Sequence, residues 1–333
     1  MRAKRVIDAH MHHGLEKEAI DRFGNKGNAE VWWTGSQKLM KIDVIGGATD
    51  AQEGEFNWTN GVRRRVGAKW GEIPDYKAEH IIESMDEGRV TQGVLCGIDG
   101  VFTVGLGKRQ RSWEWKVTPE YTKHLMDRFP GRFLGEVGVY PPRGEKEAMR
   151  ELERGINEFG CCGMKIFTPT GFRANDPRAY PLYEKCIELG VHATIHTNAE
   201  ACIGSRMSAC TPFHIDDVAN DFPDLHIHML HMAVYLGMEM QALACLTHAP
   251  NMYTSCDPLG VPIDSVYPMS WVKRPDLFRV MEKIFPRRLM YGTDFPISYP
   301  HRESIEAIEG MDLSEEFRNL LFCDNARRFY KIK

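Results

Sequence analysis

Two histidines separated by one residue follow a short apolar run near the start of the chain. The run Val6-Ile7-Asp8-Ala9 leads into His10, Met11 and His12. If this segment is a β-strand, residues two positions apart point to the same face, so both imidazoles lie on one side. Neutral imidazole binds zinc, iron and manganese-type ions. The pair therefore predicts part of a metal site, although the spacing alone also fits a surface histidine cluster.

Side chains of types that can bind metals or transfer protons also follow three later apolar runs. His196 ends one run, His231 ends a second, and Asp294 follows a third. The chain has 13 histidines, and we would not expect a random scatter of them to fall so regularly at strand ends. The second run also contains His228, which is the alternative to His231 as the site histidine of that run. We favour His231 because barrel active sites form where the strands end.

The rest of the chain alternates between short β-rich runs and helical segments, which implies parallel strand pairing. Eight such units in 333 residues predict an α/β protein with a (β/α)8 TIM barrel, formed as a single domain over 1–333. After the first strand, the predicted strands are Val90–Ile98, Phe133–Val139, Gly163–Phe167, Val191–His196, Leu225–Leu230, Asn251–Ser255 and Arg288–Gly292.

Long loop insertions follow strands 1 and 2 of this predicted barrel. The first insertion, residues 15–74, is rich in glycine and contains four of the tryptophans. Long loops within a compact domain are often lids or binding loops. We expect this insertion to cover the site or to contact a partner subunit, which predicts a homodimer. The second insertion is also rich in glycine and aromatic residues, and we expect a loop there.

Composition excludes several classes of protein. The chain is 43% hydrophobic and 26% charged, which is ordinary for a folded globular protein. Its net charge of -4 gives no reason to expect nucleic acid as a partner. No apolar run approaches the roughly 20 residues that a membrane span needs. The nine cysteines are an odd count and suggest reduced thiols, so we expect a cytoplasmic protein.

Together these motifs resemble those of the amidohydrolase superfamily, and more narrowly its amidohydrolase 2 branch, which includes aminocarboxymuconate-semialdehyde decarboxylase and related metal-dependent hydrolases. The resemblance extends from Asp8 to Pro296. It implies that His10, His12, His196 and Asp294 hold one divalent metal ion. Zinc is the expected ion, manganese and iron are alternatives, and a second ion is left open.

The same resemblance implies catalytic roles for Asp294 and His231. Asp294 would take a proton from a metal-activated water, and His231 would act as general acid or base or bind a second metal. The leading prediction is therefore a hydrolase of a small carboxylated or cyclic carbonyl compound, such as an amide, a lactone or a ring. A non-oxidative decarboxylase of an aromatic or enoic acid is the alternative. A catalytically inactive barrel that acts as a binding protein is a third hypothesis.

Lys165 lies within an otherwise apolar predicted strand, where an unpaired ammonium is costly. Three interpretations compete. The amine could be carboxylated and bridge two metals, as the resemblance to dihydroorotase-like members suggests. It could instead bind a substrate carboxylate, or it could pair structurally with Glu136 on the third strand. The second and third interpretations together are favoured over the first.

Several loop residues are candidates for binding an anionic small-molecule substrate. Arginine suits this role because its guanidinium binds carboxylates in a bidentate manner. Arg109, Arg111 and Arg173 follow predicted strands, and His301 follows the eighth strand closely. The remaining histidines, including His192, are expected at the surface or in helix caps.

Overall fold

The computed structural model describes residues 5–13, 17–25, 77–198, 204–257, 271–296 and 300–333. These ranges contain the following strands: β1 (Val6–Met11), β2 (Val90–Cys96), β3 (Asp99–Val104), β4 (Arg111–Lys116), β5 (Phe133–Gly138), β6 (Gly163–Ile166), β7 (His192–Ile195), β8 (Ile227–Met229), β9 (Met252–Ser255) and β10 (Leu289–Met290).

Strands β1, β2 and β5 to β10 form one eight-stranded sheet in which sequential neighbours pair in parallel. The sheet closes between its first and last strands. The amide of Ala9 donates to the Tyr291 carbonyl at 2.8 Å, and the amide of His12 donates to the Phe295 carbonyl at 2.7 Å. The predicted TIM barrel is therefore confirmed, and the carboxyl ends of its strands meet at one rim.

Helices lie between the strands and bury one face each. The α4 helix (Glu145–Asn157) is typical, since Ala148 and Leu152 are buried, two glutamates occupy its first turn and Arg154 lies in its last turn. These charges complement the helix dipole. The helices are α1 (Lys17–Phe23), α2 (Ala78–Glu87), α3 (Pro119–Arg128), α4 (Glu145–Asn157), α5 (Tyr180–Leu189), α6 (Phe213–Asp221), α7 (Glu239–His248), α8 (Pro275–Ile284), α9 (His301–Glu309), α10 (Glu315–Asn319) and α11 (Asn325–Phe329).

The second insertion is an antiparallel hairpin, β3–β4, rather than the loop that the sequence predicted. Phe102 pairs directly with Trp113 across the two strands. Phe102 and Trp115 are buried and cluster with Ile98 and Phe167. Aromatic cross-strand pairs stabilise such a ribbon, and their contact with Phe167 holds the hairpin against the end of β6.

Two further expectations depend on which part of the chain is described. Most of the first insertion, including residues 26–74, lies outside the described residues, so its role as a lid or dimer contact stays a prediction. Within the described ranges, no helix combines the length and apolar character that a bilayer crossing requires. All eight cysteines in those ranges are free thiols.

Candidate metal centre

The two histidines of the first strand and Asp294 lie together at the rim. His10 is the fifth residue of β1 and His12 follows its end, with their ring centroids 4.9 Å apart. Asp294 follows β10, and its Oδ1 lies 2.9 Å from His12 Nε2 and 3.7 Å from His10 Nε2. These nitrogen and oxygen atoms are close enough together to share one ion.

The chemistry of these donors fits a divalent cation. Burial lowers the pKa of His12 to about 3 and that of His10 well below its ordinary value, so both imidazoles are neutral. His10 Nε2 is buried and has no hydrogen-bond partner in the described part of the chain. Burial raises the pKa of Asp294 to about 8, which indicates a carboxylate that lacks sufficient positive charge nearby. A cation at this position would supply that charge.

His196 and His231 lie beside this cluster and contact each other. His196 directly follows β7, and its Nε2 lies 3.0 Å from the carbonyl of Asn198. Its Nδ1 lies 3.1 Å from His231 Nε2. His231 follows β8 with a φ of 66°, so the chain turns sharply and directs this imidazole into the rim. His196 therefore adjoins the cluster through His231, and its role as a metal ligand stays a prediction.

His228 lies deeper in the barrel and is fully engaged there. Its Nδ1 lies 3.1 Å from the Tyr330 hydroxyl, and its Nε2 lies 2.8 Å from the Ser255 hydroxyl. A strand-interior histidine with both nitrogens bonded is unavailable to a ligand. The structure thus places His231, and not His228, at the rim.

Asp257 is a site residue that the sequence analysis missed. It follows β9 by two residues and is fully buried. Its Oδ1 accepts from His10 Nδ1 at 2.9 Å and also contacts His231 Nδ1. Burial alone would raise the pKa of Asp257, but attraction to His10 and His231 outweighs burial and holds it well below its ordinary value. The sequence signal that could have identified Asp257 is its position two residues after β9, the seventh strand of the barrel.

Lys165 on β6 is buried and its Nζ has no hydrogen-bond partner among the described residues. The predicted pairing with Glu136 does not form. Glu136 instead accepts from Thr194 Oγ1 at 2.5 Å, from His192 Nε2 at 2.7 Å and from Cys96 Sγ at 3.1 Å. Burial lowers the pKa of Lys165. An unpaired amine at this depth favours a ligand or a modification over a structural role.

Comparison with known proteins identifies the family. The family model described as Amidohydrolase matches residues 7–332, which is nearly the whole chain. The chain belongs to the amidohydrolase family. Its predicted resemblance to this family is thus confirmed, and it is an enzyme of this superfamily.

Curated relatives of this amidohydrolase include enzymes of unsaturated carboxylic acids. A 2-keto-4-carboxy-3-hexenedioate hydratase from Sphingobium sp. is 23% identical over 238 residues, which cover 62% of this chain and 68% of the relative. A 2-amino-3-carboxymuconate-6-semialdehyde decarboxylase from Dictyostelium discoideum is 31% identical over 78 residues, covering 23% of this chain and 21% of that protein.

Solved structures share the fold over almost the full length. An uncharacterised TIM-barrel protein from Bordetella bronchiseptica has a TM-score of 0.65 at 19% identity and covers 98% of both chains. A manganese-bound 5-carboxyvanillate decarboxylase from Novosphingobium aromaticivorans has a TM-score of 0.59 at 15% identity, covering 99% of this chain and 96% of that one. A probable 2-pyrone-4,6-dicarboxylic acid hydrolase from Acinetobacter baumannii has a TM-score of 0.57 at 13% identity, covering 98% and 99% respectively.

Aromatic side chains line one side of the site in this amidohydrolase. The Trp115 ring lies 6.5 Å from that of His12, and the Phe167 ring lies 5.0 Å from that of His196. Trp115 and Phe167 also pack edge to face at 5.6 Å. We refer to Trp115 and Phe167 as the aromatic wall. It is an apolar surface next to the imidazoles that suits a flat substrate.

Asp8 organises the backbone beneath the site. It accepts hydrogen bonds from the amide of His10 at 3.0 Å and from the amide and hydroxyl of Thr293 at 3.1 and 2.5 Å. His301 Nε2 lies 3.0 Å from Asp8 Oδ2, and its Nδ1 lies 2.9 Å from Ser84 Oγ. His301 is fully buried, so its position indicates support of Asp8 rather than the expected contact with substrate.

Replacing Asp8 with alanine is expected to lower the free energy of unfolding by at least about 3 kcal/mol, because buried donors from His10, Thr293 and His301 would lose their acceptor. Chemical denaturation monitored by circular dichroism measures the loss. The matched control is Asp312→Ala at an exposed carboxylate, for which we expect a change within about 0.5 kcal/mol. Equal stability of the two variants would contradict the role of Asp8.

Of the predicted anion-binding arginines, Arg173 does not join this cluster. Arg173 is exposed in the turn that follows β6 and its short helix. Arg109 and Arg111 lie at the tip of the β3–β4 hairpin, and their side chains are outside the described part. Their contact with substrate stays a prediction. His192, expected at the surface, is buried and contacts Glu136, because β7 directs it into the barrel.

Proposed function

We propose that this amidohydrolase is a metal-dependent decarboxylase of a small, flat, unsaturated carboxylic acid. The aromatic wall beside the histidine and aspartate cluster carries this proposal. A conjugated ring or chain would stack on Trp115 and Phe167 while one of its oxygens meets the cation. The apolar surroundings also disfavour a solvated carboxylate and so favour its loss as carbon dioxide. The decarboxylases named among the relatives and solved structures support the same reaction.

His10, His12 and Asp294 would hold the cation, with His196 as the proposed fourth ligand. When bound, the cation would supply Lewis-acid polarisation of a substrate oxygen. Two nitrogens from neutral imidazoles and a carboxylate oxygen suit zinc and also manganese. The manganese in the related decarboxylase supports a divalent ion of this kind.

Lys165 would bind an anionic oxygen of the substrate. Its amino group is buried and has no partner among the residues that the structure describes, so an anion would relieve the cost of its desolvation. This anionic group is separate from the carboxylate that leaves. Two of the similar proteins have names that specify more than one acid group. They are the probable 2-pyrone-4,6-dicarboxylic acid hydrolase and the 2-keto-4-carboxy-3-hexenedioate hydratase, and both support this substrate class.

His231 would deliver the proton that completes the reaction. The carbon–carbon bond to the carboxyl group breaks, carbon dioxide leaves, and the electron pair stays on the substrate carbon. His196 Nε2 donates to the Asn198 carbonyl, so the lone pair of His196 lies on Nδ1, the atom that would bind the cation. His231 Nε2 lies 3.1 Å from that atom, which places His231 at the rim beside the proposed centre as the proton donor. A proton from His231 then replaces the lost carboxyl group.

Hydrolysis of a cyclic carbonyl compound is the second candidate. The position of Asp294 favours this reaction, because its Oδ1 lies 2.9 Å from His12 Nε2 at the proposed metal centre. A carboxylate in that place could accept a proton from water, while His231 protonates the leaving group. The related pyrone dicarboxylic acid hydrolase supports this alternative.

A panel of aromatic, enoic and lactone carboxylates tests the two candidates against each other. We expect release of carbon dioxide and a product that has lost one carboxyl group. Gain of one water with opening of a ring and no carbon dioxide would instead establish the hydrolase. No turnover of any member by metal-loaded protein would count against both.

The Lys165→Met variant, a neutral side chain of similar length, adds a test of the substrate class. We expect its KM for a diacid to rise by about 10- to 100-fold, because a hydrogen bond between charged groups is lost. The matched control is Lys146→Met at an exposed lysine of α4, which should leave KM unchanged. An unchanged KM in the Lys165 variant would contradict its role in binding.

A further inference from the structure

Asp257 contacts two histidines to which we assign different roles, His10 as a metal ligand and His231 as the proton donor. One of its oxygens, Oδ1, lies 2.9 Å from His10 Nδ1 and also contacts His231 Nδ1. We propose that Asp257 is a positioning residue that fixes the tautomer and orientation of both imidazoles at once. The proposal rests on the proposed function in one respect, namely that His10 binds the cation and His231 transfers the proton.

The argument for His10 follows from its two nitrogens. An ionised carboxylate only accepts hydrogen bonds, so His10 Nδ1 must carry the hydrogen that it shares with Asp257. The lone pair of a neutral imidazole then lies on Nε2. That atom is buried, faces Asp294 at 3.7 Å and has no hydrogen-bond partner within the described ranges. A carboxylate behind a ligand histidine orients the ring and raises its basicity toward a metal.

The same oxygen constrains His231. Its Nδ1 contacts Asp257, so its Nε2 is the atom directed toward His196 and the rim. The His10 and His231 rings meet edge to face, with centroids 5.0 Å apart. Because both rings depend on one oxygen, a shift of Asp257 would move the proposed ligand and the proposed proton donor together.

Gly292 provides independent evidence that the fold leaves space for the Asp257 carboxylate. A Cβ atom at Gly292 would lie 2.7 Å from Asp257 Oδ2 and 3.1 Å from the Ser255 Cβ. A side chain at position 292 would therefore collide with the carboxylate. The last barrel strand thus leaves room for Asp257, and Gly292→Ala would displace the carboxylate while keeping its charge.

The test uses metal-loaded protein labelled with isotopic histidine, observed by nuclear magnetic resonance, together with chelator competition to measure zinc affinity. In the wild-type protein we expect the imidazoles of His10 and His231 to carry hydrogen on Nδ1. In Asp257→Asn we expect the dissociation constant for zinc to rise by roughly 10- to 100-fold and both tautomer signals to change. Neither readout needs a substrate, so failure of the proposed reaction would not affect this test.

The matched control is Asp99→Asn, which alters another buried carboxylate that is bonded to Arg143 rather than to a histidine. Zinc affinity and the histidine signals should stay as in the wild type. If Asp257→Asn does not fold, Gly292→Ala should produce the same direction of change. Unchanged zinc affinity and tautomers in a folded variant would overturn the proposal. Loss of one of two bound ions would also overturn it, since Asp257 would then be a ligand.

Discussion

Dialysis against a strong chelator is expected to abolish turnover, and one equivalent of zinc or manganese per chain is expected to restore it. The reason is that His10, His12 and Asp294 bring two neutral imidazoles and a carboxylate together at a buried position. Without a cation, this centre cannot polarise a substrate oxygen. Metal content measured by elemental analysis, alongside the rate of carbon dioxide release, checks the prediction.

Two controls separate loss of metal from loss of structure. Circular dichroism should show the same helical content before and after chelation, because the pairing of the eight strands and the apolar core hold the barrel together. Protein dialysed in parallel without chelator should keep its full rate. A purified, metal-free protein that remained fully active would contradict the metal dependence on which the proposed function stands.

Replacing Asp294 with asparagine is expected to lower kcat/KM by about 10²- to 10⁴-fold. The substitution keeps the size of the side chain but removes its charge and its ability to accept a proton. Because His10 and His12 remain, we expect weakened but measurable metal binding, so metal content and rate should be measured on the same sample. Asp312→Asn, at an exposed carboxylate, is the control and should retain the wild-type rate. Wild-type rates in Asp294→Asn would show that the carboxylate has no catalytic part.

The barrel could be predicted because its signals are local. Each β-rich run is largely buried as the sequence indicates, and a helix follows it before the next barrel strand. The spacing of His10 and His12 likewise predicts a shared face from strand geometry alone. Asp294 and His231 could be located because barrel active sites collect residues from strand ends, and both residues follow strands.

The hairpin β3–β4 shows where local signals were insufficient. Its glycines and charged residues are typical of a loop, and its stability depends on burying Phe102 and Trp115 against Phe167. That contact joins segments more than fifty residues apart, so no local pattern contains it. The aromatic wall that supports the proposed substrate class follows from the same contact.

The sequence by itself determined the fold, the family and most of the residues at the rim, since strand periodicity and strand ends are properties of short segments. Only the tertiary structure decided the partners of the buried charges. Among the described residues, Lys165 Nζ has no hydrogen-bond partner, whereas Glu136 contacts His192. Asp257 contacts both His10 and His231. The physical reason is that closing the barrel sets which side chains meet inside it, and a buried charge takes the partner within hydrogen-bond distance, however far apart the two lie in the chain.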